Sequence, residues 1–303
     1  MNPSLTVVIP TFNRKEVLRR TLAGYAKQSS PELIKEVIVV DDGSTDGTDE
    51  VIKEVQECAP FRLRYIRQPN RGPAAARNRG IEQVGSGIVL LSDDDMVPHP
   101  NLIASHAIWH RRHTETSVAV LGFATWAPEL DPTPFMRWYG EDGPLFAYGR
   151  FKKQSEIAFW YFYSCNISLK TEFLQTCGKF DETFKTAAYE DVELGFRLSR
   201  AGLRLLFNPE AITYHYQRFT FEDACRKAMM SVTARERFLQ TEAGKQFVSQ
   251  GRDPSLRLRM ARDLAGRFFQ PAVRLLDSSI RLPRIVYSSL FWYHAIRPAG
   301  LNR

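Results

Sequence analysis

The first 120 residues alternate short apolar runs with segments of helical periodicity, and this alternation constrains the fold more than any other feature of the chain. Apolar, β-branched runs predict strands at residues 5–10, 36–40, 63–67 and 88–91. Helices are predicted at residues 15–27, from Thr45 or Asp46 to about Glu57, and from about Pro73 to Val84. Continuous apolar strands separated by helices are typical of a parallel sheet with both faces covered. The chain is therefore predicted to form an α/β fold around a single, mostly parallel, Rossmann-like sheet flanked by helices.

Three of the predicted strands run into polar clusters at their carboxyl ends. The clusters are Pro10-Thr11-Phe12-Asn13-Arg14, Asp41-Asp42-Gly43-Ser44 and Asp93-Asp94-Asp95. Ligands of open α/β sheets bind in the crevice beyond the carboxyl ends of the strands. We therefore expect the three clusters to line one ligand-binding crevice.

The aspartate triplet is the strongest candidate for a metal site. Three adjacent carboxylates repel one another unless a cation neutralises them. Because residues i and i+2 of an extended chain point to the same side, Asp93 and Asp95 are expected to face one site while Asp94 points elsewhere. Mg²⁺ and Mn²⁺ prefer oxygen ligands of this kind together with substrate phosphates. The alternative interpretation is a solvated turn or a helix cap before Pro98.

Residues 70–80, NRGPAAARNRG, place cations and small side chains where a helix is predicted to begin. Guanidinium groups and the N-terminus of a helix both favour phosphate groups. The segment therefore predicts a phosphate-binding site, and an ordinary surface helix with solvated arginines is the alternative.

Residues 124–160 interrupt the alternation with four prolines and many aromatic side chains. Such a segment suits a covering lid or the wall of an acceptor site, because loops on a rigid scaffold commonly carry specificity. Packing of an irregular segment explains the composition equally well, and the sequence leaves both interpretations open. Beyond it, a helix is predicted to run to Arg200 and a strand to follow at residues 203–207.

Seven segments, taken in order, resemble the conserved blocks of the family 2 glycosyltransferases. They are residues 7–14 (VVIPTFNR), 39–46 (VVDDGSTD), 76–80 (ARNRG), 93–95 (DDD), 165–168 (CNIS), 178–182 (GKFDE) and 189–198 (YEDVELGFRL). Each segment alone is a weak signal, but seven in order over residues 5–220 are specific. The resemblance implies a GT-A fold and the inverting transfer of a sugar from a nucleoside diphosphate sugar. It implies a glycosyltransferase domain over residues 1–220, with a nucleotide-sugar half at 1–123 and an acceptor half at 124–220.

The resemblance also assigns roles to residues of this chain. Pro10, Thr11 and Phe12 would line the base pocket, and Asp42 would accept a hydrogen bond from the imide of uracil or thymine. The remaining contacts to the nucleotide sugar would come from Arg14, Arg77 near the diphosphate, Asp93 near the ribose or metal, and Asp94. Asp95 would hold the Mg²⁺ or Mn²⁺ ion that bridges the phosphates and acts as a Lewis acid. The acceptor side would include Asn166, Glu190 and Trp160.

Asp191 would be the general base that removes the proton from the acceptor hydroxyl. A helix N-terminus stabilises anions, and the neighbouring charge of Glu190 is expected to raise the pKa of one of the two carboxyl groups. Ordinary acidic capping of a helix is the alternative. His215 would be a further metal or phosphate ligand, or simply a packed aromatic side chain, and both interpretations stay open.

Motifs that the chain lacks narrow the activity further. No QxxRW motif follows residue 191, and no apolar run reaches the roughly 18 residues of a membrane span, so we expect addition of one sugar rather than polymerisation. Neither the GxGxR-type loop of nucleotidyltransferases nor the GxGxxG loop of dehydrogenases follows the first predicted strand. A catalytically inactive, glycan-binding scaffold of the same fold is the remaining alternative.

The net charge of the chain, +7, resides in residues 252–303, which hold ten arginines and three aspartates. Apolar pairs spaced at about 3.6 residues over 256–276 predict a basic amphipathic helical extension within residues 221–303, kinked at Pro271. Such a helix is typical of contact with a membrane surface, and it suits a glycan or lipid-linked acceptor of the cell envelope. Packing on the catalytic domain or across a homodimer is the alternative. No nucleic-acid partner is expected, because residues 1–251 carry no net charge.

The expected location follows from the N-terminus and the cysteines. The first predicted strand has no signal peptide before it, and the four cysteines form no CxxC pair. Reduced thiols of a cytoplasmic protein are therefore expected, either free in the cytoplasm or peripheral on the inner face of the cell membrane. UDP is the expected nucleotide.

Overall fold

The computed structural model describes residues 2–151, 156–252 and 264–296. The chain forms two compact units. Unit 1 comprises Met1–Thr125 and Phe151–Tyr216, and unit 2 comprises Trp126–Arg150 and Gln217–Arg303. The predicted division at residue 220 placed all of residues 124–220 in the first domain, whereas the structure groups Trp126–Arg150 with the C-terminal part of the chain.

Unit 1 is built on one sheet. Its strands are β1 (Leu5–Thr11), β2 (Ile34–Asp41), β3 (Leu63–Arg67), β4 (Ile88–Ser92), β5 (Met96–Pro98), β6 (Val118–Trp126), β7 (Glu156–Ile157), β8 (Asn166–Lys170) and β9 (Arg204–His215). They lie in the order β3-β2-β1-β4-β8-β6-β9-β5, and β7 pairs with β9. The first four strands of that order are parallel, whereas β8 runs antiparallel to β4 and β6.

The helices follow in chain order through both units. They are α1 (Lys15–Ala26), α2 (Thr48–Cys58), α3 (Pro73–Ile81), α4 (Leu102–Arg112), α5 (Pro134–Glu141), α6 (Thr171–Thr176), α7 (Glu190–Arg200), α8 (Phe221–Met230), α9 (Val232–Gln240), α10 (Glu242–Ser249), α11 (described over residues 264–268) and α12 (Arg284–Phe291). Helices α1, α2 and α3 connect the four parallel strands. The predicted α/β fold, with a mainly parallel sheet flanked by helices and a helical C-terminal region, is confirmed.

The predicted strands lie close to the observed ones because their apolar runs are buried on both faces. Every residue of β4 is buried, and Val7, Val8 and Ile9 of β1 are fully inaccessible. The start of α2 differs from the prediction, because Gly47 adopts φ +87° and the helix begins at Thr48. The Asp46 carboxylate still accepts hydrogen bonds from the backbone and hydroxyl of Thr48.

An aromatic core joins the two segments of unit 2. The Trp138 ring on α5 stacks on Tyr287 of α12 with centroids 5.4 Å apart, and Phe135 meets Phe221 of α8 edge-on at 5.6 Å. Leu290 of α12 is fully buried in the same cluster. Of the interpretations that the sequence left open, packing therefore accounts for the aromatic residues of α5 and for the buried apolar residues of α12.

The predicted amphipathic helix at 256–276 falls partly on residues 256–263, which lie outside the described residues. In the described remainder, α11 is followed by a 3₁₀ helix, Gln270–Leu275. Pro271 has no backbone N–H and therefore interrupts the regular α-helical hydrogen bonding. The change from α11 to the 3₁₀ helix lies next to this position, where the kink was predicted. Within the described part of the chain, every helix is too short or too polar to cross a membrane.

Candidate active site

Hydrogen bonds tie together the polar clusters that follow β1, β2 and β4. The Thr11 hydroxyl donates to the Asp94 carboxylate at 2.8 Å, and the Asn13 amide donates to the Ser44 hydroxyl at 2.8 Å. The Asn13 side-chain oxygen in turn accepts from the Thr45 amide at 2.7 Å. The three segments predicted to line one crevice are therefore neighbours in unit 1.

The aspartate triplet lies in the turn between β4 and β5. Strand β4 ends at Ser92, so the alternation of an extended strand does not apply to the triplet. The Arg14 guanidinium contacts both Asp94, at 3.0 Å, and Asp95, at 2.6 Å, whereas Asp93 accepts from Arg77 at 2.7 Å. The expectation that Asp93 and Asp95 face one group while Asp94 points elsewhere is therefore wrong, because Asp94 and Asp95 share Arg14 and Asp93 faces Arg77.

His215 lies beside Asp95 at the end of β9. Pairing of β5 with β9 places it opposite Met96, and the Tyr216 amide donates to the Asp95 backbone oxygen at 2.8 Å. Nε2 of the imidazole is 3.1 Å from Oδ2 of Asp95. Both side chains are buried, so this strand pairing holds an imidazole and a carboxylate against each other.

The spacing of Asp95 and His215 fits a divalent cation. Two ligand atoms at adjacent octahedral positions, each about 2.1 Å from the ion, are separated by about 3 Å, which is close to the observed Oδ2–Nε2 distance of 3.1 Å. A carboxylate with an imidazole suits Mn²⁺, and carboxylates with phosphates suit Mg²⁺. Across the described residues no cluster of three protein ligands occurs. The donor set therefore fits an ion that takes its remaining ligands from substrate phosphates and water.

Burial and the neighbouring cations shift the pKa values of the two carboxyl groups that Arg14 contacts in opposite directions. Burial raises the pKa of Asp94 to about 7 despite the opposing charge of Arg14. Burial also opposes ionisation of Asp95, but the charges of His215 and Arg14 outweigh it and hold the pKa of Asp95 well below its usual range. Asp95 is therefore the better anionic ligand of the two.

Asp42 is a buried carboxylate that holds the loop before α3. Oδ1 accepts from the side-chain amide of Gln68 at 2.8 Å and from the backbone amide of Arg71 at 2.9 Å, and Oδ2 accepts from Gly72 at 2.8 Å. Gly72 has φ +94°, a conformation that side chains rarely adopt, and an added Cβ would lie 2.9 Å from the Lys185 carbonyl oxygen. Each carboxylate oxygen has two acceptor positions, so Oδ2 retains one for a ligand.

The residues predicted for the base pocket differ widely in exposure. Phe12 is 44% exposed, Pro10 is half-buried, and Thr11 is buried with its hydroxyl engaged by Asp94. Phe12 therefore offers an aromatic face for stacking, whereas Thr11 serves to position Asp94.

Arg77 is buried between two carboxylates. Nη1 donates to Glu190 at 3.0 Å and Nη2 donates to Asp93 at 2.7 Å, while the guanidinium lies 5.7 Å from the Phe180 ring centroid. Its terminal nitrogens face carboxylates in this arrangement, and the approach of Arg77 to a diphosphate stays a prediction. Arg77 joins α3 and the turn after β4 to the start of α7.

Asp191 occupies the first turn of α7. Its Oδ1 accepts from the Val192 amide at 2.9 Å and its Oδ2 from the Ser164 amide at 3.4 Å. Burial raises the pKa of Asp191, with Arg77 opposing the shift, and burial together with Asp191 raises the pKa of Glu190 to about 8. The direction agrees with the sequence-based expectation, but burial contributes more than the adjacent charge. The raised pKa makes Asp191 a stronger base than an exposed aspartate.

The three residues expected on the acceptor side are all buried. Asn166 is fully buried on β8, where its amide donates to the Ala211 carbonyl at 2.9 Å, so the predicted contact with an acceptor is wrong for Asn166. Trp160 is largely buried against Phe159, with ring centroids 4.1 Å apart. Glu190 is buried with Arg77, and its Oε2 atom has no hydrogen-bond partner among the described residues.

A buried polar chain beneath the site was not predicted. Oδ1 of Asn166 is 2.9 Å from Nε2 of His106, and the Ser168 hydroxyl lies 2.8 Å from both Nδ1 of His106 and Nε2 of His110. Burial lowers the pKa of His106 to about 4 and that of His110 to about 3. The spacing i, i+4 on a helix and i, i+2 on a strand puts each pair on one face, and that periodicity could have identified these four residues.

Comparison with known proteins gives the family context. Residues 6–168 match the model of Glycosyl transferase family 2. The chain is 30% identical over 232 residues to the validoxylamine A glucosyltransferase of Streptomyces hygroscopicus subsp. limoneus, which covers 69% of this chain and 51% of the relative. It is 28% identical over 240 residues to the chondroitin synthase of Escherichia coli, which covers 70% of this chain and 34% of that protein. The chain thus spans about half the length, or less, of these curated relatives.

Solved structures show the same fold at low identity. The mannosyltransferase PcManGT from Pyrobaculum calidifontis, in complex with GDP-Man and Mn²⁺, matches with a TM-score of 0.62 and 17% identity over 100% of this chain and 88% of that chain. S. aureus TarS 1-349 in complex with UDP matches with a TM-score of 0.58 and 18% identity over 99% of this chain and 93% of that chain. Both likenesses concern the fold, which is that of the GT-A glycosyltransferases.

Proposed function

The chain belongs to glycosyl transferase family 2, and we propose that it transfers one sugar from a UDP-sugar to a hydroxyl group of a glycan or lipid-linked acceptor, with inversion at the anomeric carbon. The observation that carries the proposal is the chain of ion pairs between α7 and the aspartate triplet. Glu190, next to Asp191, accepts from Arg77, and Arg77 donates to Asp93. These contacts support a single site that would combine a base on α7 with the carboxylates after β4.

Asp191 would act as the general base. As the acceptor oxygen forms its bond to the anomeric carbon, the proton of that hydroxyl passes to the Asp191 carboxylate. The bond from the anomeric carbon to the diphosphate oxygen breaks at the same time, and its electron pair leaves with UDP. Because burial raises the pKa of Asp191, the carboxylate accepts a proton more readily than an exposed aspartate would.

Asp95 and His215 would hold a Mg²⁺ or Mn²⁺ ion against the diphosphate. Their ligand atoms are 3.1 Å apart, which suits adjacent positions on one ion. When bound, the ion supplies a Lewis acid that offsets the charge of the departing diphosphate. The pKa of Asp95, held low by His215 and Arg14 against the opposing effect of burial, keeps this ligand ionised at neutral pH.

The UDP moiety would lie between the loops that follow β1 and β2. Phe12 presents an exposed ring for stacking against the base. The free acceptor position on Oδ2 of Asp42 would receive the imide N–H of uracil. Guanine also presents an N–H donor in its ring, so UDP and GDP must be compared directly.

Calorimetric titration with UDP, dTDP and GDP, each with and without Mn²⁺, tests the proposal. We expect UDP to bind most tightly and only weakly without the ion. Asp95→Asn should remove the dependence on Mn²⁺, whereas Asp49→Asn on the exposed face of α2 is the matched control. Failure of all three nucleotides to bind with Mn²⁺ present would contradict the transferase proposal and favour a glycan-binding scaffold of the same fold.

Unit 2 would bring the enzyme to an anionic lipid surface, on the cytoplasmic side of the membrane, where lipid-linked precursors of envelope polysaccharides are found. Leu264 and Phe268 share one face of α11 and are 71% and 77% exposed, and Ile280 and Ile285 are also exposed. The charged residues among 264–296 are Arg267, Arg274, Arg281 and Arg284, all exposed, and Asp277. Exposed apolar side chains among arginines suit the interface of an anionic bilayer.

A further inference from the structure

Arg14 occupies the position between Asp94 and Asp95 where a cation is expected. Nη2 of its guanidinium is 2.6 Å from Oδ2 of Asp95, and Nη1 is 3.0 Å from Oδ1 of Asp94. The same Oδ2 atom of Asp95 lies 3.1 Å from Nε2 of His215. One oxygen therefore serves both the guanidinium and the ligand pair assigned to the divalent ion.

A guanidinium and a divalent ion that both bind this oxygen destabilise each other through charge repulsion. Both are cations, and within about 4 Å their repulsion is strong at the low effective dielectric of a buried site. Asp95 is buried, so water does not screen the two charges efficiently. Metal binding at Asp95 and His215 therefore requires the Arg14 side chain to leave, or at least to weaken its contact with Oδ2.

The side chain of Arg14 can move away from Asp94 and Asp95 while its backbone stays in place. The side chain is 37% exposed, although both carboxylates that it contacts are buried. The backbone is held because the Leu18 amide donates to the Arg14 carbonyl at 3.0 Å in the first turn of α1. Rotation about the side-chain bonds can therefore move the guanidinium without disturbing α1.

A diphosphate is the partner that such a guanidinium would accept. Arginine binds phosphate with two parallel hydrogen bonds, in the same geometry in which it binds carboxylates. An incoming nucleoside diphosphate carries its negative charge to the crevice that Arg14 borders through the loop after β1. Moving from carboxylate to phosphate, Arg14 would keep its ionic partners and vacate the oxygen that the metal needs.

Resting on the proposed function, we propose that Arg14 is a displaceable counter-cation, which occupies the metal carboxylates in the free enzyme and moves to the diphosphate when nucleotide binds. This movement of Arg14 makes metal and nucleotide binding cooperative, because the nucleotide removes a competitor of the metal. It also lowers the affinity of the free enzyme for metal alone.

Mn²⁺ titrations followed by electron paramagnetic resonance of the free ion, with and without UDP, test this role without turnover. In Arg14→Gln we expect the affinity for Mn²⁺ without nucleotide to rise about tenfold, in the range of typical coupling between sites. We also expect the factor by which UDP tightens Mn²⁺ binding to fall. Arg14→Lys keeps the charge but loses the paired geometry, and we expect an intermediate effect. Arg19→Gln removes a charge from the exposed side of α1 and should change neither quantity.

The outcomes separate this role from simpler ones. A rise in Mn²⁺ affinity with an unchanged effect of UDP means that Arg14 acts through its charge alone, and it overturns the displacement. An unchanged or weaker affinity for Mn²⁺ in Arg14→Gln, with a normal melting curve, overturns competition altogether. If the wild-type protein binds no UDP in the presence of Mn²⁺, the proposed function fails first. If the wild type binds both but the variants behave alike, only the role of Arg14 fails.

Discussion

Arg77 donates a hydrogen bond to Asp93 at 2.7 Å although only 4% of the Arg77 side chain is exposed. Its other terminal nitrogen donates to Glu190, which is buried as well. Removal of one member of such a group leaves another charge buried without a partner, which costs more than the intact pair contributes. This ion-pair group therefore holds α7, with Asp191 in its first turn, in register with the turn after β4.

Arg77→Met should destabilise the fold by about 3–5 kcal/mol, the usual cost of breaking a buried pair. Urea denaturation measures the change. Adding Asp93→Asn to this variant should restore part of the loss, because the carboxylate that loses its partner is removed. The exposed pair of Arg71 with Glu182 provides the comparison, since Arg71→Gln should cost no more than about 1 kcal/mol. Equal losses in the two arginine variants would contradict the role assigned to Arg77.

Asp191→Asn should lower kcat by about 10²–10⁴-fold, the usual contribution of a general base. Asparagine keeps the size of the side chain but cannot take a proton from the acceptor. UDP binding in the presence of Mn²⁺ should stay within about twofold of wild type, because Asp191 accepts from the backbone amides of Val192 and Ser164 and is not one of the residues proposed to hold UDP or the ion. Steady-state kinetics and calorimetry together check the prediction, and loss of UDP binding would refute it.

Stability should fall as the pH decreases from about 7 to about 4, because His106 and His110 are buried in neutral form. Their folded pKa values of about 4 and about 3 lie below the ordinary value of 6.5. The unfolded chain therefore binds more protons in this window, and His106 alone accounts for up to about 3 kcal/mol. Denaturation at several pH values measures the slope.

His110→Gln isolates one of these contributions. The glutamine amide can replace the contact of Nε2 with Ser168 but does not titrate, so the slope of stability against pH should decrease. His113→Gln, at a half-buried position just beyond α4, is the control. A slope unchanged by His110→Gln would mean that other groups cause the loss of stability in acid.

Phe268→Ser should weaken binding to vesicles that contain phosphatidylglycerol by about tenfold, because burial of a Phe side chain contributes roughly 1.5–3 kcal/mol. Sedimentation with the vesicles measures the bound fraction. Val248→Ser changes an exposed apolar residue elsewhere in unit 2, 49% exposed in α10, and should have no effect. Equal binding by wild type and Phe268→Ser would remove the lipid surface from the proposal.

Local patterns were sufficient to predict the parallel half of the sheet. Strand β4 was predicted at residues 88–91 and is observed at Ile88–Ser92, because a continuous apolar run favours a strand buried on both faces. The end of β9 was harder to predict. The strand predicted at residues 203–207 is only the first part of Arg204–His215, which pairs with β7 near its start and with β5 at its end.

The sequence by itself determined the α/β fold, the family and the set of polar residues at the strand ends, because these depend on periodicity and on motifs within short segments. Only the tertiary structure decided what those residues contact. Arg14 meets Asp95 across 81 positions of sequence, and Asn166 lies in the core against His106 rather than beside an acceptor. Such partners are set by the packing of distant elements and by the high cost of burying an unpaired polar group, and no local pattern records either.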